Sequence, residues 1–219
     1  MTPDQVPSFL PLLFLVVGLS FIPFLGVMAT SFTKIVIVLM LLRNALGTQT
    51  APSTLVINSI ALSLTIFIMA PIGLAIEEQL TQGGYTLTSW EEANQIREVV
   101  SGEFVTYLSK FAGDSEIEFF ISAALDLWPE PIHDNATEDS LLILLPAHIS
   151  SELTRAFQIA FLIFLPFVAI DMIVSNILLA MGAMMVPPML VSLPLKLLVF
   201  VSVDGWSRLL QALILSYAE

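Results

Sequence analysis

The chain has 219 residues, of which 57% are hydrophobic and 12% are charged, about half the charged fraction of a typical soluble domain. This composition argues against an ordinary soluble domain and indicates a membrane protein. The net charge of −12 argues against nucleic acid as a partner, since acidic surfaces are repelled by phosphates. The absence of cysteine excludes disulfides and thiolate metal sites.

The negative charge is concentrated in one central block. Residues 77–140 carry 14 acidic residues against two basic ones, whereas residues 1–76 have a net charge of +1 and residues 141–219 a net charge of −1. We therefore predict an N-terminal apolar helical region (1–76), an acidic extracytoplasmic helical region (77–140) and a C-terminal apolar helical region with a methionine loop (141–219). The positive-inside rule gives weak support to the extracytoplasmic placement, because few basic residues flank the apolar runs.

Two uncharged runs in the N-terminal region are long enough to cross a membrane. Residues 9–29 would form a helix roughly 31 Å long, which matches the hydrocarbon core of a bilayer. Asp4 and no basic residue precede this run, so we expect it to be retained rather than cleaved as a signal peptide. Residues 55–76 form the second predicted span.

Between these runs, residues 32–47 form a shorter apolar segment. Its only charges are Lys34 and Arg43, whose long side chains are expected to reach lipid head groups by snorkelling. Gly47 is predicted to stop the helix, since glycine is common just after a helix C-terminus.

The acidic block has a helical pattern of its own. Residues 88–128 are polar but carry apolar residues three or four positions apart, which predicts small amphipathic helices outside the membrane. Residues 128–140 (WPEPIHDNATEDS) are predicted to be a loop, because they combine prolines with Asp, Asn and Ser.

In the C-terminal region, residues 156–181 and 186–203 are predicted as two further spans. Between them lies the stretch AMGAMMVPPML (180–190), in which Pro187 and Pro188 break the helix. Backbone that is not helical is tolerated at membrane depth only where protein buries it or water lines it. Two interpretations stay open: a deformable constriction lined by methionines, or a kinked helix in which methionine fills a core.

Four of the seven charged residues in the C-terminal region are candidates for pairing or for a relay. Asp171 and Lys196 are either a proton or ion relay or an ion pair that fixes packing within or between subunits. Glu152 and Arg155 are three residues apart and are expected to pair on one helix. Motifs of metalloproteases, serine hydrolases, nucleotide-binding loops and dinucleotide-binding folds do not occur, and the two histidines lack metal-ligand spacing, so we predict neither enzyme activity nor a cofactor or metal.

Long stretches of the chain resemble the FliP/SctR family, the core export-gate subunit of bacterial type III secretion systems. The resemblance rests on ATSFTKIVIVLMLLRNALGTQ (29–49), SIALSLTIFIMAPI (59–72), the run from 139 to 188, and SLPLKLLVFVSVDGW (192–206). The short N-terminus and SLLILLPA (140–147) look more like the injectisome members than the flagellar ones.

The resemblance implies an all-α membrane-associated protein whose broken helical hairpins pack into a helical oligomeric export gate. That gate would be a homo-oligomer, expected to be a pentamer, joined by flagellar Q- and R-type proteins or their injectisome equivalents and by the switch and large export-gate subunits. It would pass unfolded proteins across the bacterial inner membrane and project toward the periplasm. The four predicted spans would then describe the subunit before assembly, in contact with membrane lipid.

The family's methionine gasket around the closed pore falls by motif at Met184 and Met185, with Met181 nearby, and Ala183 stands where relatives often carry a methionine. If the chain is such a subunit, we expect Glu152, Arg155, Asp171 and Lys196 to hold subunits together rather than to carry protons. Two alternative functions stay open. One is a small secondary transporter or channel that uses Asp171 as an ion or proton site, and the other is a scaffold without a pore.

Overall fold

A computed structural model describes residues 20, 24–48, 50–84, 90–183 and 185–218. These ranges contain helices and turns but no β-strand, which confirms the all-α prediction for the described part of the chain. In chain order the elements are α1 (Phe32–Leu46), α2 (Thr54–Gly83), α3 (Trp90–Phe111), α4 (Asp114–Leu127), a 3₁₀ helix (Glu130–Asn135), α5 (Leu141–Ala180), α6 (Pro188–Ser202) and α7 (Gly205–Leu215).

The turn between α1 and α2 follows from its capping residues. Gly47 adopts a left-handed conformation with φ of 81° and its N–H bonds to the carbonyl of Asn44, which confirms the predicted helix stop. The Ser53 side chain then caps α2 by accepting from the Val56 N–H. From there α2 continues through Pro71 to Gly83, across the boundary predicted between the apolar and acidic regions.

The helix α5 is longer than predicted. We expected a span at 156–181, but one helix of 40 residues begins at Leu141 and runs through both Pro146 and Pro166. Each proline removes one backbone hydrogen bond, and neighbouring helices and local adjustment make that loss tolerable in apolar surroundings. At 1.5 Å per residue the helix is about 60 Å long, twice the thickness of a hydrocarbon core.

Two hydrophobic cores lie along α5. One joins α1, α2, α5, α6 and α7 and includes Ile35, Leu39 and Ala156, which are fully buried. The other joins α3 and α4 to the first turns of α5 and contains Leu108 and Leu144. The acidic region is therefore packed as helices against the start of α5, while the apolar helices gather along α1.

The described residues contain two helices long and apolar enough to cross a membrane, α2 and α5, and a third span if α6 and α7 count as one bent pair. The predicted span 186–203 ends in a bend of 62° between α6 and α7. Asp204, with a left-handed φ of 52°, sits at the bend, and the Phe200 ring packs directly on Gly205. The run 9–29 falls mostly outside the described residues.

The segment predicted as a loop after α4 is partly helical. Residues Glu130–Asn135 form a 3₁₀ helix that begins after Pro129. Proline is tolerated in the first turn of a helix, where its missing N–H has no partner to lose, so two prolines in this segment do not prevent a short helix.

Candidate functional site

The methionine loop occupies residues 181–187 between α5 and α6. Met181 is 74% exposed and Met185 is 97% exposed, while Met184 lies outside the described residues. Pro187 precedes α6 and Pro188 is its first residue, the position at which proline fits a helix best.

Exposure of this kind argues against one interpretation, in which the methionines fill a core within the single chain. A methionine that filled this chain's own core would be buried, and Met185 is almost fully exposed. Large exposed apolar side chains in a monomer mark surfaces that something else covers. The loop therefore presents methionine to a partner, to lipid or to a pore.

A charged contact ties the helices on either side of the loop. Lys196 Nζ, buried on α6, lies 2.6 Å from Asp171 Oδ2 on α5 and donates a second hydrogen bond of 3.0 Å to the carbonyl oxygen of Ala45. The carboxylate of Asp171 is less enclosed, with 44% of its side chain exposed. The two charges meet within one chain, and they hold α5, α6 and the end of α1 together.

A second charged cluster is centred on Glu152, which is 0% exposed. Its Oε1 atom lies 3.4 Å from Lys34 Nζ on α1 and 3.3 Å from Arg155 Nη1 one turn away, and Tyr217 near the C-terminus donates its hydroxyl hydrogen to Oε2. The prediction that Lys34 snorkels to lipid is wrong, because its side chain is buried with an ion-pair partner. Lys34 Nζ also lies 3.4 Å from the centroid of the Tyr217 ring.

The same stretch of α5 holds the junction between α3 and α4. Arg155 Nη1 donates to the carbonyl of Phe111 at 2.9 Å, which satisfies an acceptor at the end of α3. Ser151 Oγ accepts from the Gly113 N–H at 2.7 Å, just before α4 begins. We use the name "Glu152 cluster" for Glu152, Lys34, Arg155 and Tyr217; together with Ser151 it connects α1, the acidic helices and the C-terminus.

Tyr217 is suited to be the donor in this cluster. Burial raises the pKa of its hydroxyl above the usual value of 10.0, and the negative charge of Glu152 raises it further. The phenol therefore stays protonated at physiological pH and donates to the carboxylate.

The sequence predicted the pairing of Glu152 with Arg155, which the structure shows. It did not predict the partners of Glu152 that lie far away along the chain. Lys34 and Glu152 are 118 residues apart, and Tyr217 is 65 residues beyond Glu152. The sequence places Lys34 in one apolar segment and Glu152 in another. A charge in an apolar segment indicates that it has a partner, but it does not identify that partner.

The long apolar helices, internal ion pairs and exposed methionine loop define a helical membrane protein that leaves apolar surface for further partners. The chain belongs to the FliP family, whose model matches residues 15–213. This confirms the family indicated by the sequence stretches above.

The chain is 44% identical over 213 residues to Yop proteins translocation protein R of Yersinia pestis, covering 97% of this chain and 98% of that protein. It is 41% identical over 221 residues to virulence protein YscR of Salmonella typhimurium, covering 99% of both. It is 38% identical over 218 residues to hypersensitivity response secretion protein HrcR of Ralstonia nicotianae, covering 97% of this chain and 99% of that protein. These relatives agree with the injectisome branch of the family.

Proposed function

We propose that this chain is a core subunit of the export gate of a type III secretion system of the injectisome kind, in the bacterial inner membrane. Family membership over most of the chain supports the class, since the relatives are translocation, virulence and secretion proteins. The observation that carries the role is the exposed methionine loop between two apolar helices.

The chain acts in this proposal as one copy of a homo-oligomer that also binds smaller gate subunits and lipid. Within the most apolar 18-residue stretch of each long helix, only 11% of α2 and 17% of α5 is buried by the rest of the chain. Bare apolar surface on this scale needs covering, and copies of the subunit, Q- and R-type partners and lipid would share it. The acidic helices would project toward the periplasm.

The loop methionines would close the gate as a deformable seal. Methionine is unbranched and polarizable, so several copies around an axis pack against one another when the pore is closed and adapt to a passing polypeptide. Met181, Met184 and Met185 are the proposed contacts. The ion pairs have a structural role in this proposal and keep the helices that carry the loop in place.

Cysteine crosslinking tests the seal, because the chain has no cysteine of its own. A single cysteine at Met185 should form a disulfide with a cysteine in an export substrate stalled in the assembled gate. Met172→Cys is the matched control, since this methionine is also exposed but lies on α5 away from the loop. A substrate trapped through other subunits but never through position 185 contradicts the seal.

One observation favours the rival function of a secondary transporter or channel, namely the half-exposed carboxylate of Asp171. The buried ammonium of Lys196 already occupies that carboxylate at 2.6 Å, which weighs against a free ion site. Uptake of a small solute by the protein alone in vesicles, lost in Asp171→Asn, is the result that would favour the transporter.

A further inference from the structure

His148 lies buried at the contact between α5 and α3. The residue is 1% exposed, and neither ring nitrogen forms a hydrogen bond of normal geometry with a described residue, although the ring lies beside the backbone of Thr30. Its ring contacts the Tyr107 ring of α3 in a tilted arrangement, with the centroids 5.5 Å apart and the planes at 54°. The buried hydroxyl of Tyr107 is also unpartnered among the described residues. Burial raises the pKa of the Tyr107 hydroxyl, so that group stays neutral.

The charges that act on His148 come from the Glu152 cluster. Lys34 on α1 and Arg155 on α5 are positive, and Glu152 on α5 is the negative charge between them. A protonated His148 would place a third cation beside a single carboxylate, in a site closed to water. Burial of an extra unpaired charge costs several kcal/mol, so the closed packing requires the neutral ring.

We propose that His148 is a proton-binding site that controls the docking of the acidic helix α3 on α5. In the closed state the neutral ring packs on Tyr107. When the contact opens, water reaches the ring, and one imidazole nitrogen takes a proton from solvent without any other change in bonding. The protonated ring cannot return to its buried position, so acid stabilises the open state.

The direction of the pH effect follows from proton counting. An exposed histidine titrates near pH 6.5, and the open state therefore binds more protons than the closed state below that pH. The opening equilibrium should be flat above about pH 7.5 and rise by up to about tenfold for each pH unit below about 6.5. Histidine is the side chain whose ordinary titration falls in this window, and the chain has only two, His133 and His148.

Hydrogen exchange of the α3 amides in the full-length protein measures this opening. Exchange rates at pH 7.5, 6.5 and 5.5, corrected for the intrinsic pH dependence of exchange, should show loss of protection in α3 at pH 5.5. His148→Phe should remove the pH dependence, since a phenyl ring packs on Tyr107 and cannot take up a proton. His148→Leu serves the same purpose if the phenylalanine variant does not fold.

The matched control is His133→Gln, at the other histidine. His133 lies on the 3₁₀ helix, where its Nε2 atom is 2.9 Å from the carbonyl oxygen of Trp128. This variant should keep the full pH response of α3. A wild-type protein with equal protection at pH 7.5 and 5.5 overturns the proposal without any variant, and so does a pH response that survives in His148→Phe.

Discussion

Glu152 has three side-chain partners, which come from three parts of the chain. Its two carboxylate oxygens serve Lys34, Arg155 and Tyr217, so one side chain joins α1, α5 and the C-terminus. A buried carboxylate of this kind is stable only while its partners remain, and the partners depend on it in turn.

We predict that Glu152→Ala lowers the free energy of unfolding by about 3–5 kcal/mol, because Lys34 would keep a buried charge without its partner. Glu152→Gln should cost less, since an amide oxygen still accepts from Tyr217. Denaturant unfolding of the purified protein measures both losses. Glu118→Ala, at an exposed position on α4, is the control and should stay within about 0.5 kcal/mol of the wild type.

The pair of Lys196 and Asp171 should respond asymmetrically, because only one of its charges is enclosed. Asp171→Ala leaves a buried ammonium with Ala45 as its one acceptor among the described residues and should cost about 2–3 kcal/mol of stability. Lys196→Met leaves a half-exposed carboxylate that water can solvate and should cost about 1 kcal/mol. A double-mutant cycle on unfolding measures the coupling.

Equal losses for the two single variants would argue against this asymmetry. Measurement of gate assembly and secretion in the same variants separates structure from transport. Lost assembly supports the packing role predicted for these charges, whereas intact assembly with lost secretion supports a transport role.

The bend between α6 and α7 depends on close packing between a glycine and an aromatic ring. Gly205 has no side chain, and the Phe200 ring occupies the space that a side chain would need. The Phe200 ring also contacts Trp206 edge-on, with 5.4 Å between ring centroids, and Phe167 of α5, with 6.3 Å between ring centroids. The bend is thus held by one aromatic ring packed against glycine.

We predict that Gly205→Ala destabilises the protein by about 1–3 kcal/mol, because the added methyl group displaces the Phe200 ring. Gly102→Ala is the matched control: this glycine lies within α3, and a methyl group there meets no atom within 4 Å. It should be neutral or stabilising by up to about 1 kcal/mol. Thermal unfolding of both variants under one condition gives the comparison.

The elements were predictable to different degrees, for physical reasons. The stop at Gly47 followed from the conformational freedom of glycine, and helices in the acidic block followed from the spacing of apolar residues. The continuity of α5 through two prolines was not predictable, because proline signals a break unless neighbouring helices compensate for it. Burial of Lys34 depended on a partner 118 residues away, which local pattern cannot name.

At the scale of the whole molecule, the exposed apolar surface is the dominant feature. The methionine loop lies at one end of α5, and the acidic helices pack at the other. Most of the helix between them is bare toward at least one side. The single chain therefore leaves apolar surface uncovered, and the partners that bind it determine which face contacts lipid.

We predict that Met185→Ala raises the leak of small ions through the assembled gate while substrates are still secreted, because a shorter side chain seals the pore less well. Conductance of the purified complex in planar bilayers measures the leak, and Met172→Ala is the control. Unchanged conductance in Met185→Ala would support the scaffold without a pore.

The length of α5 sets a distance that the bilayer does not control. With about 60 Å between its ends, the helix extends well beyond a hydrocarbon core of ~30 Å. The number of residues from Leu141 to Ala180 therefore fixes the distance between the methionine loop and the acidic helices. A thicker or thinner membrane would change which residues of α5 contact lipid, but it would not change the distance between the two ends of the helix.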